Sequence, residues 1–359
     1  MANNTITEIE PTASFVYEPL NYEDSIRLLL LEPPTLEDPG MVRGRLEHTT
    51  LTHYEHEIIE PYTALSYVWG DASMRKTVFI KDIPVQVTSN LYDALRDIRD
   101  ERRVLRLWAD ALCINQSDND EKGLQIGLMG RIYSLAGSTV IYLGAPHSNE
   151  AASATGTISY DDVDESKCNM LFRSPWFRRA WVYQEAVLSR DPRIQFGRWR
   201  CTWGQLANFA TRTKLFTKFL FLQIHRARAD HIYSKLSWSR QYDLNGVVHA
   251  VSSRRGLGAS NPRDLIFAYL GLGTISERVQ LNVDYTSPWE QVYQDFAQLQ
   301  LQKRQTYDLF ACLGGDNLTS PKNYLQSWVR NFYRFFLPPL PSKHFISSSQ
   351  YILAIEYYS

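Results

Sequence analysis

Two hydrophobic rhythms alternate along the first half of the chain. Ile26 to Leu31 is an apolar run closed by Pro33-Pro34, which marks a strand ending where proline withdraws a backbone donor. A second extended piece lies near Val42 to Leu46. From Tyr62 onward strands and helices take turns. Ala64 to Val68 reads as a strand ended by Gly70-Asp71, and Val78 to Ile80 with Ile83 to Val87 as a hairpin about Lys81-Asp82. Ser89 stands where it would cap a helix over Leu91 to Asp100, whose Leu91, Ala94, Leu95 and Ile98 share a face. Val104 to Ala109 and Thr139 to Leu143 are two more strands. Between them Ser117 or Asp118 opens a helix, with Asp120 or Glu121 three residues on and Leu124, Leu128, Ile132 and Leu135 as its expected buried stripe.

Strands alternating with helices of this length predict an α/β fold, with a mainly parallel sheet between flanking helices in three layers. Such sheets take ligands beyond the carboxyl ends of their strands. Residues 145 to 167, rich in Ser, Ala, Thr, Gly and Asp, read as a loop before a helix that begins near Pro175-Trp176. Beyond Gln195 the pattern turns mostly helical, with amphipathic stretches at 203 to 232, 262 to 272 and 288 to 302. The expected division is a β-containing segment over 1–61, an α/β domain over 62–190, a mostly helical region over 191–325 and an atypical tail over 326–359.

Composition narrows the function classes. The 359 residues are 44% hydrophobic and 13% aromatic, enough for a large core. A formal net charge of -1 supplies no field that would gather nucleic acid or an anionic membrane. Cys113, Cys168, Cys201 and Cys312 show no CxxC spacing, which removes the usual zinc and redox signatures and points to a reducing compartment. No apolar run approaches the ~20 residues that span a bilayer. The expectations are therefore a cytoplasmic protein, no metal, no nucleic acid and no membrane.

Catalytic signatures such as the P-loop, GxGxxG, GxSxG and HExxH do not occur. Three constellations remain. In Ser66-Tyr67-Val68-Trp69-Gly70-Asp71 a strand leaves the sheet through a glycine turn, so Ser66, Trp69 and Asp71 either face a crevice or simply build the turn. Asp110 ends an apolar strand in Trp108-Ala109-Asp110, where a carboxylate needs solvent, hydrogen bonds or a function; Asn115 and Gln116 follow. In Trp176 to Glu185, helical spacing puts Trp181 and Glu185 on one face with Arg178 on an adjoining row. That spacing suits an aromatic wall beside a carboxylate, and equally a core tryptophan with a surface Glu–Arg pair.

The strings YTALSYVWGD, LWADALCINQSDNDEK and WFRRAWVYQEA, in that order over Tyr62 to Glu185, resemble the heterokaryon-incompatibility (HET) domain of fungi. Ile26-Arg27-Leu28-Leu29 and the stretch from Asn261-Pro262-Arg263-Asp264 to Leu272 look like its flanks. The resemblance implies self/non-self recognition and programmed cell-death signalling, with protein partners through self-association or other incompatibility proteins. A second resemblance, to Toll/interleukin-receptor (TIR) domains, lies in LSYVWGD and in Trp181 to Glu185, which is similar to their W-C-x-x-E helix with Val182 in place of the cysteine. It implies a TIR-like core and, as an alternative activity, cleavage of NAD as substrate, with no resident cofactor. On that reading Glu185 and Asp110 are the candidate catalytic residues, and Ser66, Trp69 and Trp181 would hold NAD. Ser327-Trp328-Val329 begins like a string frequent in the family and then departs from it, so the tail is expected to be truncated or out of frame.

Overall fold

The computed structural model describes residues 15–57, 59–145, 156–157, 165–212, 214, 217–236, 259, 261–273, 281 and 283–302. The predicted tail and most of the 145–167 loop lie outside the described residues. The strands are β1 (Ser25–Leu31), β2 (Arg43–Thr50), β3 (Thr63–Tyr67), β4 (Arg75–Ile80), β5 (Ile83–Thr88), β6 (Leu105–Trp108), β7 (Ser138–Tyr142), β8 (Gly156–Thr157), β9 (Pro192–Phe196) and β10 (Trp199–Thr202). They form one sheet in the order β5-β4-β2-β1-β6-β3-β7-β9-β10-β8. The helices are α1 (Leu51–Tyr54), α2 (Ser89–Ile98), α3 (Asp110–Cys113), α4 (Asn119–Leu135), α5 (Glu165–Phe172), α6 (Val182–Val187), α7 (Trp203–Ala210), α8 (Thr217–Leu236), α9 (Asp264–Leu270) and α10 (Trp289–Gln302), with a 3-10 turn at Pro175–Arg178.

The sheet is mixed, where the sequence pattern predicts one that is mainly parallel. Its centre, β6-β3-β7-β9, is parallel throughout. On either side β1 joins β6, and β10 joins β9, in antiparallel pairing. The reason is connection length. Only Gly197 and Arg198 separate β9 from β10, and Gly197 sits at φ 57, a two-residue turn that can only return the chain antiparallel. These two strands fall where a mostly helical pattern is expected, because five and four residues are too short to show a clear alternation. The run Ser25 to Leu31 is buried along its whole length, as suits an interior strand with neighbours on both sides.

Helices cover both faces. Tyr142 donates to Asp97 of α2 at 2.7 Å, and Gln195 donates to the Asp97 carbonyl at 2.7 Å, fixing α2 to one face. On the other, Tyr133 of α4 meets Trp108 edge-on with centroids 5.6 Å apart and donates to the Leu65 carbonyl. Thr88, one residue before the expected Ser89, caps α2 by accepting from the Leu91 amide. Asp118 caps α4, accepting from the amides of Asp120 and Glu121 at 3.0 Å each. Of the expected stripe of α4, Ile132 is buried and Leu128 and Leu135 pack partly against the core, but Leu124 is 64% exposed, and Gly123, Gln125, Met129, Gly130 and Tyr133 complete the inward face. Close helix packing is carried here by glycine, which hydrophobic counting overlooks.

Glu121 does not reach back to its own helix as a capping box would. It takes both guanidinium nitrogens of Arg27, at 2.6 and 2.9 Å, and the Asn115 amide at 2.7 Å. Arg27 also donates to the carbonyls of Cys113 and Glu18. This pair, with Arg27 only 1% exposed, ties β1, α4 and the segment after β6 at one point. Removing one member of a buried pair strands the other charge, at roughly 3–5 kcal/mol. Glu121→Ala is expected to lower unfolding free energy by about that amount in a urea titration, and a midpoint equal to that of the parent chain would contradict this role.

Candidate functional site

The four parallel strands of the centre end on the same side, and one polar residue from each of the three sequence constellations, Ser66, Asp110 and Glu185, sits there. Ser66, near the end of β3, is 1% exposed. Its hydroxyl accepts from Trp176 Nε1 at 2.7 Å and donates to Glu185 Oε2 in a short hydrogen bond. Glu185, on α6, is 2% exposed, and Arg179 reaches both its oxygens at 3.4 Å. The guanidinium therefore comes from Arg179, while Arg178, the residue suggested by helical spacing, points outward. The 3-10 turn explains the difference: Pro175–Arg178 is wound more tightly than an α-helix, and Arg179 leaves it in extended conformation toward the site.

Asp110 opens α3, directly beyond β6. Its carboxylate accepts from Trp69 Nε1 at 2.8 Å and from the Ala111 amide at 2.8 Å, and Gln116 donates to its carbonyl. Trp69 is 41% exposed and forms the outer edge of the group. The turn carrying it needs Gly70, whose φ is 77 and whose missing Cβ would lie 2.7 Å from the Asn90 amide nitrogen. Trp181 goes elsewhere. It precedes α6, and its indole bonds to Asp264, a partly buried carboxylate on α9 that also accepts from Tyr285 at 2.6 Å.

Electrostatics bind these parts together. Burial pushes the Glu185 carboxyl above its ordinary value, against the opposing pull of Arg179 and the Ser66 hydrogen bond, while Asp110 adds to the rise. Burial weakens the charge on Arg179, but Glu185 and Asp110 more than offset it and hold the guanidinium charged. Tyr67 and Tyr133 are raised well above the usual phenol range, first by burial and then by the same carboxylates. Asp264 is likewise raised by burial. The cluster thus has several acids around one fixed cation in a desolvated space, a setting in which charge and proton position are strongly coupled.

The sequence reading names Ser66, Trp69, Asp110, Trp181 and Glu185; the structure brings Ser66 to Glu185, and Trp69 to Asp110, and sends Trp181 to Asp264. It adds Trp176, Arg179 and Asp264. Trp176 and Arg179 lie inside the WFRRAWVYQEA string, and Asp264 inside Asn261-Pro262-Arg263-Asp264, so the signal was present without a contact to interpret it. Among the described residues no group of three or more His, Cys, Asp or Glu is placed to hold a metal ion. His53 instead faces Glu57 on the surface at 3.9 Å. No described helix is long and apolar enough to cross a membrane.

What the strands and helices assemble is an α/β domain with a polar cluster closed over the carboxyl ends of its parallel strands. The stretch that builds the cluster, residues 62–185, matches the family described as heterokaryon incompatibility protein (HET). The chain is 36% identical over 119 residues to the "Heterokaryon incompatibility protein 6, OR allele" of Neurospora crassa, an alignment covering 29% of this chain and 18% of that protein. The match thus spans under a fifth of the relative's length. No solved structure matches the chain significantly.

A carboxyl raised on folding stabilises the fold below its unfolded value and loses that contribution as pH climbs through its folded one. For Glu185, raised by burial, the loss begins as pH climbs past the ordinary glutamate value. Glu185→Gln is expected to remove this component, so the stability difference between variant and parent shifts in the variant's favour as pH rises from there. Urea midpoints across the acid-to-neutral range measure it, and parallel curves would contradict the assignment.

Proposed function

We propose that the chain serves incompatibility-type self/non-self recognition in the cytoplasm and acts in programmed cell-death signalling as a protein-assembly module. The observation that carries this reading is the closure of the Glu185 cluster. A carboxylate 2% exposed, engaged by Ser66 and Arg179, is saturated by its own chain and offers nothing to solvent. The incompatibility relation comes from the family match and the Neurospora relative; the signalling role extends it.

A second reading is favoured by where the cluster lies. Ser66, Trp69, Asp110 and Glu185 converge beyond the carboxyl ends of β3 and β6, the place where parallel sheets take ligands. On a TIR-like reading this would be a site for NAD cleavage. The bond between ribose C1′ and the nicotinamide nitrogen breaks, its electron pair leaving with the now neutral nicotinamide. Water adds to C1′ and releases a proton, and a carboxylate beside the oxocarbenium-like state stabilises it. Glu185 would be that carboxylate once Arg179 swings aside, Asp110 would orient hydroxyls, and Trp69 would wall the ring. Trp181, held at Asp264, would act by placing α6.

The two readings separate in one pair of assays. Purified protein at high concentration is incubated with NAD and nicotinamide release is followed by chromatography, while Glu185→Gln is expressed beside the parent in cells. The assembly reading predicts no release and killing that survives the substitution. Nicotinamide release that falls at least a hundredfold in Glu185→Gln, with the fold retained, would replace it with the enzymatic one.

A further inference from the structure

Two exposed surfaces of the chain complement one another. The first is the outer side of α8. Its inner side is fixed: Phe221, Ile224 and Ala227 are buried, and Arg228 donates to the carbonyls of Ala186, Ser189 and Arg190, satisfying the end of α6 and the turn after it. Along the opposite side Phe219, Leu222, Arg226, Ala229 and Tyr233 follow one another at steps of three, four, three and four, and all are exposed. Phe219 is 47%, Leu222 39% and Tyr233 70% exposed, with Ile232 beside them at 45%. That step pattern is the seam by which a helix meets a partner. It makes a ridge about 21 Å long. Lys218 and Arg226 outweigh Asp230 on it, so the ridge is apolar and basic.

The second surface is a groove of about 690 Å³ between α4 and residues 281 and 283–286. Its floor includes Leu124, Leu128, Leu281 and Val283, and Leu124 is 64% exposed. Gly127 lies in the floor with no atom within 4 Å of where its Cβ would be, which leaves room for an incoming side chain. Among the described residues Glu23, Asp24, Asp120 and Asp284 line the groove, with Arg131 as the lining cation. The groove is apolar at its base and acidic around it.

We infer that the α8 ridge of one copy docks in the α4 groove of a second copy. The contact rests on the assembly reading above and gives it a geometry. Ridge and groove are different patches of one chain, so the contact is heterologous: each copy has one of each, and addition continues head to tail into a ring or a filament. Apolar side chains supply the buried area, and the basic ridge against acidic walls sets orientation and association rate. Assembly should therefore weaken with salt.

Light scattering during size-exclusion chromatography, over a concentration series of the full chain, tests this. The parent chain should grow in mass with concentration. A ridge variant, Leu222→Glu with Tyr233→Glu, and a groove variant, Leu124→Arg with Gly127→Arg, should each stay monomeric at concentrations at least tenfold higher. Mixed together they should form a dimer that grows no further, because one intact ridge meets one intact groove. All substituted positions are exposed, and unchanged circular dichroism and melting confirm that the variants fold. A parent chain monomeric throughout, a groove variant that assembles like the parent, or a mixture that stays monomeric would overturn the proposal. So would a ridge that binds anionic phospholipid vesicles while the chain remains monomeric. None of these outcomes depends on Glu185, so the ridge contact can fail while the signalling reading stands.

Discussion

A carboxylate removed from water has to be neutralised, and in this domain Glu185 imposes that demand on three elements at once. It is met by the hydroxyl of Ser66, which in turn accepts from the Trp176 indole, and by the guanidinium of Arg179. A neutral core in the same space would tolerate small shifts of α6; a desolvated charge does not, since a lost hydrogen bond there costs more than a lost apolar contact. The end of β3, the 3-10 turn and α6 are consequently held in one register.

Placement of α6 is secured from its other side by the absence of side chains. A Cβ on Gly271 would meet the Gln184 amide at 2.6 Å, and one on Gly130 would meet the Gly271 Cα at 2.9 Å. These contacts let α4, α6 and the end of α9 approach closely enough for Asp264 to reach Trp181 and Tyr285. The region after the matched stretch thus contributes to the cluster through α9, and Arg228 of α8 holds the carbonyls at the end of α6. The proposed docking ridge of α8 and the cluster are therefore joined through Arg228 and the end of α6.

Much of this was legible before any coordinates. The apolar runs located β1, β3, β6 and β7, and Lys81-Asp82, both at positive φ, turn the expected hairpin. Ser66 and Asp110 stood out as polar groups where strands leave the sheet, and Glu185 through its helical spacing from Trp181 and the resemblance to the TIR helix. What stayed hidden depends on contact rather than on pattern. Helical spacing chose Arg178 because it assumes α geometry, and the tighter 3-10 winding hands the role to Arg179. Part of the buried face of α4 was missed, Ile132 being found but Gly123 and Gly130 not, because glycines pack closely without adding hydrophobicity. The strands β9 and β10 were too short to reveal themselves, and with them went one of the antiparallel pairings that make the sheet mixed.

The central claim is that Ser66, Glu185 and their partners act as one buried unit rather than as separate polar residues. A double-mutant cycle on Ser66→Ala and Glu185→Gln, read by chemical denaturation, measures this directly. Coupling of about 1 kcal/mol or more is expected for groups sharing one hydrogen-bond network. Effects that add within roughly 0.3 kcal/mol would show that the two side chains fold independently and contradict the account.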